Sequence, residues 1–334
     1  MSAKHFVFLT LDSKESRFLY SGFEKIENGQ ILYLNRGIIL NRFTRPIIQR
    51  YTNVGRGSVL AKLLTQGAIY RNFRSCEIDS TDKDLVFVLY ARVYETFGKC
   101  ITDALRKRYP NSKVCVYFGD ILKWFRISLE QYLRDFDYVF TFDKSESERW
   151  GIHFLQEPFS YISLDEDTSS YLYDITYVGD ARTSERYNAI IKVYEQCKNA
   201  NLKCDFHITC VEKEKQKYPD EIDYNCFMDF EEIVKHVIES RTVLEIVQNN
   251  GFSPTTRYAE ACIYGRNLIT NCIGIKNGFY EKDNNIFLLN EDLKVDIEWA
   301  ITPHSVNKEY YKEKFSIEKF VETIGSVIDN DFKQ

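Results

Sequence analysis

Short apolar runs rich in β-branched residues recur along this chain, each followed by a polar turn and then by a longer stretch with helical spacing. Residues 5–11 (HFVFLTL) read as a strand that leads into the turn Asp12-Ser-Lys-Glu-Ser and a helix, and residues 31–34 form a second run. Residues 84–90 (DLVFVLY), 113–118 (KVCVYF) and 138–142 continue the series. A helix is predicted over 93–108, ending in Arg106, Lys107 and Arg108 before Pro110. The second half repeats this grammar, with strands over 175–178, 204–210 and 285–289, helices over 186–199 and 230–240, and an amphipathic helix over 317–328. Strands alternating with helices predict an α/β protein built on parallel sheets.

At 334 residues the chain exceeds one ordinary core and suits two domains of about 150 residues each. Residues 157–173 are polar and serine-rich, carry Pro158 and the acidic run 165–167, and read as the connection between them. A hydrophobic fraction of 44% with 15% aromatics fills two cores. No stretch approaches the roughly 18 apolar residues that cross a bilayer, and no leader pattern is visible, so the expected location is the cytoplasm. The nine cysteines form no C-x-x-C pair and the five histidines no i, i+4 couple, which predicts reduced core thiols and no metal site.

The net charge of −5 conceals an asymmetry. Residues 1–157 hold 24 Lys and Arg against 18 Asp and Glu, leaving 20 against 31 for the remainder. No acidic residue lies between Glu27 and Glu77, whereas Arg36, Arg42, Arg45, Arg50, Arg56, Lys62, Arg71 and Arg74 fall there among apolar neighbours. Such a surface suits an anionic membrane, with Arg42, Arg45 and Arg50 as the contact residues, or else is the solvated face of a core helix pair. Nucleic acid is not expected as a partner, because the whole chain is acidic, with a pI near 5.7, and lacks a recognised binding motif.

The densest chemistry lies in residues 243–275, VLEIVQNNGFSPTTRYAEACIYGRNLITNCIGI. A strand runs into a polar turn, and Thr255, Thr256 and Arg257 then open a helix that carries Glu260 one turn later. Free N–H groups at such a helix start bind phosphate, helped by an arginine fork, and a carboxylate on the same face accepts from ribose hydroxyls. The same residues also make an ordinary cap with dipole compensation.

The run Arg257-Tyr-Ala-Glu260-Ala-Cys-Ile-Tyr-Gly265-Arg-Asn-Leu-Ile-Thr resembles the R-x-x-E-A-x-x-x-G segment of GT-B fold glycosyltransferases, particularly bacterial enzymes of capsule, lipopolysaccharide and spore-coat synthesis. Residues 116–120 with 136–152 resemble a second region of such polysaccharide transferases, with Gly119 where they carry tryptophan. Residues 173–180, ending in Gly179 and Asp180, resemble the first loop of the donor domain. Many retaining members carry a further glutamate at the position occupied here by Phe252.

The resemblance implies two Rossmann-like parallel-sheet domains facing a cleft. Residues 1–160 would bind acceptor and 161–314 nucleotide-sugar, while residues 315–334 would form a helix crossing back to the first domain. The implied donor site comprises Gly179, Asp180, Arg182, Thr255, Thr256, Arg257 and Glu260, taking a UDP- or GDP-sugar, with no cofactor. Arg182 or Arg257 would carry the charge of the departing diphosphate without a metal. Asp12 and Asp120 each follow a strand and are the candidate bases for the acceptor hydroxyl if the reaction inverts configuration, with helix capping or turn formation as their other reading. The acceptor implied is a lipid-linked or lipopolysaccharide chain at the inner face of the plasma membrane. The triplets Asp135-Phe-Asp137 and Asp165-Glu-Asp167 read as solvated charge. A nucleotide-sugar epimerase or hydrolase and a non-catalytic protein of the same fold are the alternatives. A dinucleotide dehydrogenase is disfavoured, because Gly55-Arg-Gly57 follows no strand.

Overall fold

The computed structural model describes residues 4–34, 78, 84–161, 171–248 and 252–331. The basic segment with Arg42, Arg45 and Arg50, the Gly55-Arg-Gly57 triplet and the acidic run 165–167 lie outside the described residues. The chain divides into two compact units, residues 1–160 with 316–334, and residues 161–315.

The first unit is built on a six-stranded sheet in the order β2-β1-β3-β4-β5-β6. Its strands are β1 (His5–Leu11), β2 (Gly29–Leu34), β3 (Leu85–Tyr90), β4 (Lys113–Phe118), β5 (Tyr138–Thr141) and β6 (His153–Phe154), all parallel. Parallel strands covered on both faces need side chains that are apolar without alternation, and Val7, Phe8, Leu9, Phe87, Val88 and Leu89 have no exposed surface. The helix Ile317–Asp331 belongs to this unit. Its Phe320 ring packs edge-on against Phe8, Phe23 and Tyr117, with centroids 5.9, 6.1 and 5.1 Å away.

The single helix predicted over 93–108 is instead two, Ala91–Phe97 and Lys99–Arg108. Gly98 separates them at φ +62°, a backbone state that ends one helix and is open to glycine without strain. The triplet read as solvated charge at 135–137 is structural. Asp135 is buried and accepts from the Tyr94 hydroxyl, and Asp137 accepts from Val114 N at 2.7 Å and pairs with Arg106 at 3.1 Å.

The second unit carries the sheet β12-β11-β10-β7-β8-β9. Its strands are β7 (Tyr173–Asp180), β8 (Cys204–Thr209), β9 (Asp223–Tyr224), β10 (Ser240–Glu245), β11 (Asn267–Thr270) and β12 (Ile286–Leu288), again all parallel. Counted within this unit the order is 3-2-1-4-5-6, the doubly wound arrangement in which the chain reverses its direction of growth between β7 and β10. Ligands in such sheets bind beyond the carboxyl ends of the strands at that reversal.

Candidate functional site

Asp180 ends β7, and three donors converge on its carboxylate. Arg186 Nη1 lies 2.7 Å from Oδ1, Gln248 Nε2 donates to the same oxygen at 2.8 Å, and Arg182 Nε lies 3.0 Å from Oδ2. Gln248 follows β10, so this bond ties together the two strand ends that flank the sheet's reversal. Arg182 is largely exposed at 69%, whereas Arg186 is mostly enclosed. Gly179 lies beside the Tyr177 ring, where an added Cβ would meet the phenol oxygen at 2.8 Å.

Thr255 caps the helix Thr256–Ile263, accepting from Arg257 N at 3.2 Å. Its position is set by Glu245, a fully enclosed carboxylate at the end of β10. Glu245 accepts from Thr255 N at 2.6 Å, Thr255 Oγ1 at 2.7 Å and Thr270 Oγ1 at 2.6 Å. Burial raises the Glu245 pKa, with the threonine donors and the Arg257 charge pulling it back. One turn into the helix Arg257 pairs with Glu260, whose side chain is wholly enclosed. Glu260 Oε1 has no hydrogen-bond partner, and burial pushes its pKa up to about 7 against the pull of Arg257. Thr256 begins the helix and is half-buried.

Tyr177 joins the two groups. Its hydroxyl donates to Asp180 O at 3.1 Å, and burial raises its pKa to about 12, lowered in part by the charges of both Arg186 and Arg257. Asp180 with its donors, and Thr255 to Glu260 after the end of β10, stand at the two neighbouring strand ends of the sheet's reversal. Arg186, Gln248 and Glu245 join them without having been singled out from the sequence. Glu245 carried a signal, an acidic residue inside the apolar run VLEIV. At the position where retaining transferases carry glutamate, Phe252 stacks edge-on with Phe279 at 4.6 Å. Its carbonyl accepts from Gly274 N at 3.0 Å, and a Cβ on Gly274 would stand 2.1 Å from that oxygen.

The first unit has a cavity of about 460 Å³ whose lining includes Leu11, Asp12, Tyr90 and Gly119, beyond the carboxyl ends of β1, β3 and β4. The strand order reverses between β1 and β3, so this too is a switch point. Asp12 lies in its wall and pairs with Arg17 at 2.7 Å. Asp120 pairs with Arg92 at 3.1 Å and accepts from Ile121 N at 2.9 Å. Both candidate bases thus already hold a cation. Glu157, read from the sequence as the start of the connection, lines the same cavity and makes no hydrogen bond or ion pair to a described residue. Burial, followed by the charges of Glu15 and Asp120, raises its pKa to about 8. Gly119 leaves the room this needs, since a Cβ there would meet the Tyr90 ring at 2.9 Å and Glu157 Oε1 at 3.3 Å.

No protein-family model and no curated protein matches the sequence. Solved structures do. An α-glucosyltransferase in complex with UDP-glucose and DNA containing an abasic site matches with a TM-score of 0.56 at 15% identity, over 96% of this chain and 95% of that one. An α-glucosyltransferase in complex with UDP and a mismatched 13-mer DNA matches at 0.50 and 13% identity, over 96% and 90%. The fold is GT-B. A UDP-N-acetylglucosamine 2-epimerase from Rickettsia bellii matches at 0.48 and 11% identity over 99% and 98%, a score that carries no weight for activity. Among the described residues no helix is long and apolar enough to cross a membrane.

Proposed function

We propose that this chain is a glycosyltransferase that moves a sugar from a UDP- or GDP-activated donor to an acceptor hydroxyl. The observation that carries the reading is the gathering of Asp180, Arg182, Arg186, Gln248, Arg257 and Glu260 around the switch point of a 3-2-1-4-5-6 sheet. In this reading the diphosphate lies against Arg182 and the start of the helix Thr256–Ile263, where the cationic forks of Arg182 and Arg257 and the positive end of the helix dipole meet its charge. Glu260 Oε1, the buried oxygen without a partner, accepts from a ribose hydroxyl once donor binding uncovers it. A buried acceptor left unpaired is rare enough to require such an explanation.

The acceptor oxygen gives its proton to a base, attacks the anomeric carbon and displaces the nucleoside diphosphate. The arginines stabilise the charge that develops on the leaving group, which makes a metal unnecessary. Glu157 joins Asp12 and Asp120 as a candidate base, and a pKa near 8 suits proton abstraction close to neutral pH better than an ordinary carboxylate does.

The acceptor in our reading is a growing surface polysaccharide or lipopolysaccharide of the capsule or spore-coat type, reached with the basic segment on an anionic membrane. A DNA acceptor is the second reading. It is favoured by the acid-free run between Glu27 and Glu77, whose arginines suit phosphates as well as lipid headgroups.

A panel of UDP-, GDP- and CMP-sugars tests the proposal by thermal stabilisation, since a ligand at 100 times its Kd stabilises by about 2.7 kcal/mol. Stabilisation by one nucleotide class, with release of the nucleoside diphosphate on adding acceptor, is expected. No response to any of them would remove the donor-site reading.

A further inference from the structure

Away from the switch point, on the sheet face covered by the helix Phe230–Glu239, the second unit encloses a group of side chains that the proposed transfer does not use. Asp205 and His207 stand two residues apart on β8 and so project to the same face. His236 comes from the helix. Asp205 Oδ1 lies 2.7 Å from His207 Nε2, and Oδ2 lies 2.8 Å from His236 Nδ1. The three ligand atoms lie within 4.8 Å of one another. Asp205 and His207 are more than nine-tenths buried, and the imidazole centroids are 4.5 Å apart.

The second nitrogen of His207 points to what the group holds. Nδ1 is buried without a hydrogen-bond partner, and the carboxylate of Asp223 on β9 stands 3.4 Å from it. A neutral His207 that donates from Nε2 to Asp205 presents a lone pair at Nδ1 to that carboxylate, acceptor against acceptor. Move the proton to Nδ1 and Nδ1–H faces Asp223, but the lone pair of Nε2 then meets Asp205 Oδ1 at 2.7 Å, a contact that a cation bound between them relieves. Nε2 is left with a lone pair, aimed at the space shared with Asp205 and His236. An outer carboxylate orienting a ligating histidine is the usual support of a metal-bound imidazole. Asp205 has the same kind of outer support, since Thr176 Oγ1 donates to its Oδ2 at 3.0 Å.

We propose that Asp205, His207 and His236 form a zinc site, with ligation through the Asp205 carboxylate, His207 Nε2 and His236 Nδ1 and a water in the fourth position. Two imidazoles with one carboxylate suit zinc better than magnesium or calcium, which take oxygen sets. Ligand atoms about 2.0–2.2 Å from a tetrahedral ion stand about 3.3–3.6 Å apart, so each ring must retreat from Asp205 by roughly half an ångström or a little more. The site lies mid-strand, where Asp205 is opposite Thr176 and His207 opposite Val178, upstream of the strand end at Asp180. Its role is to pin the helix Phe230–Glu239 to β8.

The test uses the full chain, stripped with a chelator, dialysed and titrated with Zn²⁺ by calorimetry and with Co²⁺ by visible spectroscopy. One ion per chain is expected, with a tetrahedral Co²⁺ spectrum that lacks a thiolate charge-transfer band. That feature separates the site from binding at Cys210 and Cys226, which are exposed. His207→Ala and His236→Ala should each weaken Zn²⁺ binding by more than roughly 100-fold and Asp223→Asn by about tenfold, given the 10–100-fold worth of outer partners. His304→Ala should change nothing. Absence of Zn²⁺ uptake by the unaltered chain, a thiolate band, or uptake undiminished in both histidine variants would overturn the proposal. The group would then be a hydrogen-bonded cluster of the two imidazoles with Asp205 and Asp223. The unaltered chain's stoichiometry and spectrum decide the matter even where a variant fails to fold.

Discussion

Arg257 and Glu260 form an ion pair within one turn of helix Thr256–Ile263, and it satisfies only one of the two Glu260 carboxylate oxygens. The pair makes the two residues unequal under mutation. Removing the arginine leaves an enclosed carboxylate without its cation, a change that typically costs about 3–5 kcal/mol. Arg257→Ala is therefore expected to lower the denaturation midpoint clearly. Adding Glu260→Gln to it should recover much of that stability while donor binding remains lost. Equal stability of Arg257→Ala and the unaltered chain in chemical denaturation would show that the pair does not hold the helix.

Glu157 should make both stability and rate depend on pH. Its folded pKa of about 8 lies above the ordinary carboxylate value of 4.5, so the folded state holds a proton that the unfolded state releases. The sign follows: this contribution to stability is complete below about pH 4.5 and is lost as pH rises through about 8. Glu157→Gln should accordingly gain in melting temperature relative to the unaltered chain between pH 5 and pH 9. If Glu157 is the base, transfer should also rise with pH to a plateau above about 8, and this rise should vanish in Glu157→Gln. A rate profile identical in the two proteins would return the role to Asp12 or Asp120.

Asp12→Asn and Asp120→Asn complete that comparison. Asp12→Asn removes the ion pair with Arg17, and Asp120→Asn removes one of the two ion pairs of Arg92, which keeps Glu95. The variant that removes the true base should lower turnover by about 10²–10⁴-fold with donor affinity preserved. Steady-state kinetics with measured donor affinity separates the three carboxylates, and full turnover in Asp12→Asn and Asp120→Asn would leave Glu157 alone.

The sequence revealed most where the determining contacts are local. Residues 5–11 and 113–118 were read as strands with the bounds they have, because doubly covered parallel strands are continuous apolar runs. Thr255, Arg257 and Glu260 could be grouped in advance because they share one helix. The break at Gly98 was missed, since a glycine inside a helical pattern does not by itself announce a left-handed residue. Glu157 looks like linker in the sequence because its burial, and the charges of Glu15 and Asp120 that add to it, come from elements distant in the chain. Asp205, His207 and His236 escaped for the same reason. A strand pair at i, i+2 and a helix residue on a separate element leave no spacing signature.

The helix Ile317–Asp331 is expected to be essential to the first unit. Phe320 is enclosed against Phe8, Phe23 and Tyr117, and removing such a ring typically costs about 3–5 kcal/mol. Phe320→Ala should lower the urea midpoint accordingly, whereas Lys319→Ala on the exposed side of the helix should stay within about 0.5 kcal/mol of the unaltered chain. Equal losses in the two variants would contradict this packing.

Charge reversal at Arg42, Arg45 and Arg50 separates the two acceptor readings. Each basic residue close to an anionic membrane contributes about 1 kcal/mol, and the attraction is screened by salt. Binding to phosphatidylserine vesicles that falls with salt and is lost in the reversed variant supports a membrane-borne acceptor. Tight duplex binding with no vesicle affinity supports DNA.

Calorimetric titration of UDP and GDP into the unaltered chain and into Arg182→Ala, Arg257→Ala and Glu260→Gln tests the donor site most directly. The account predicts one equivalent of one nucleotide bound to the unaltered chain, with affinity reduced about tenfold or more, a loss of about 1.4 kcal/mol or greater, in each variant. Binding of neither nucleotide, or an affinity that stays the same in all three variants, would contradict it.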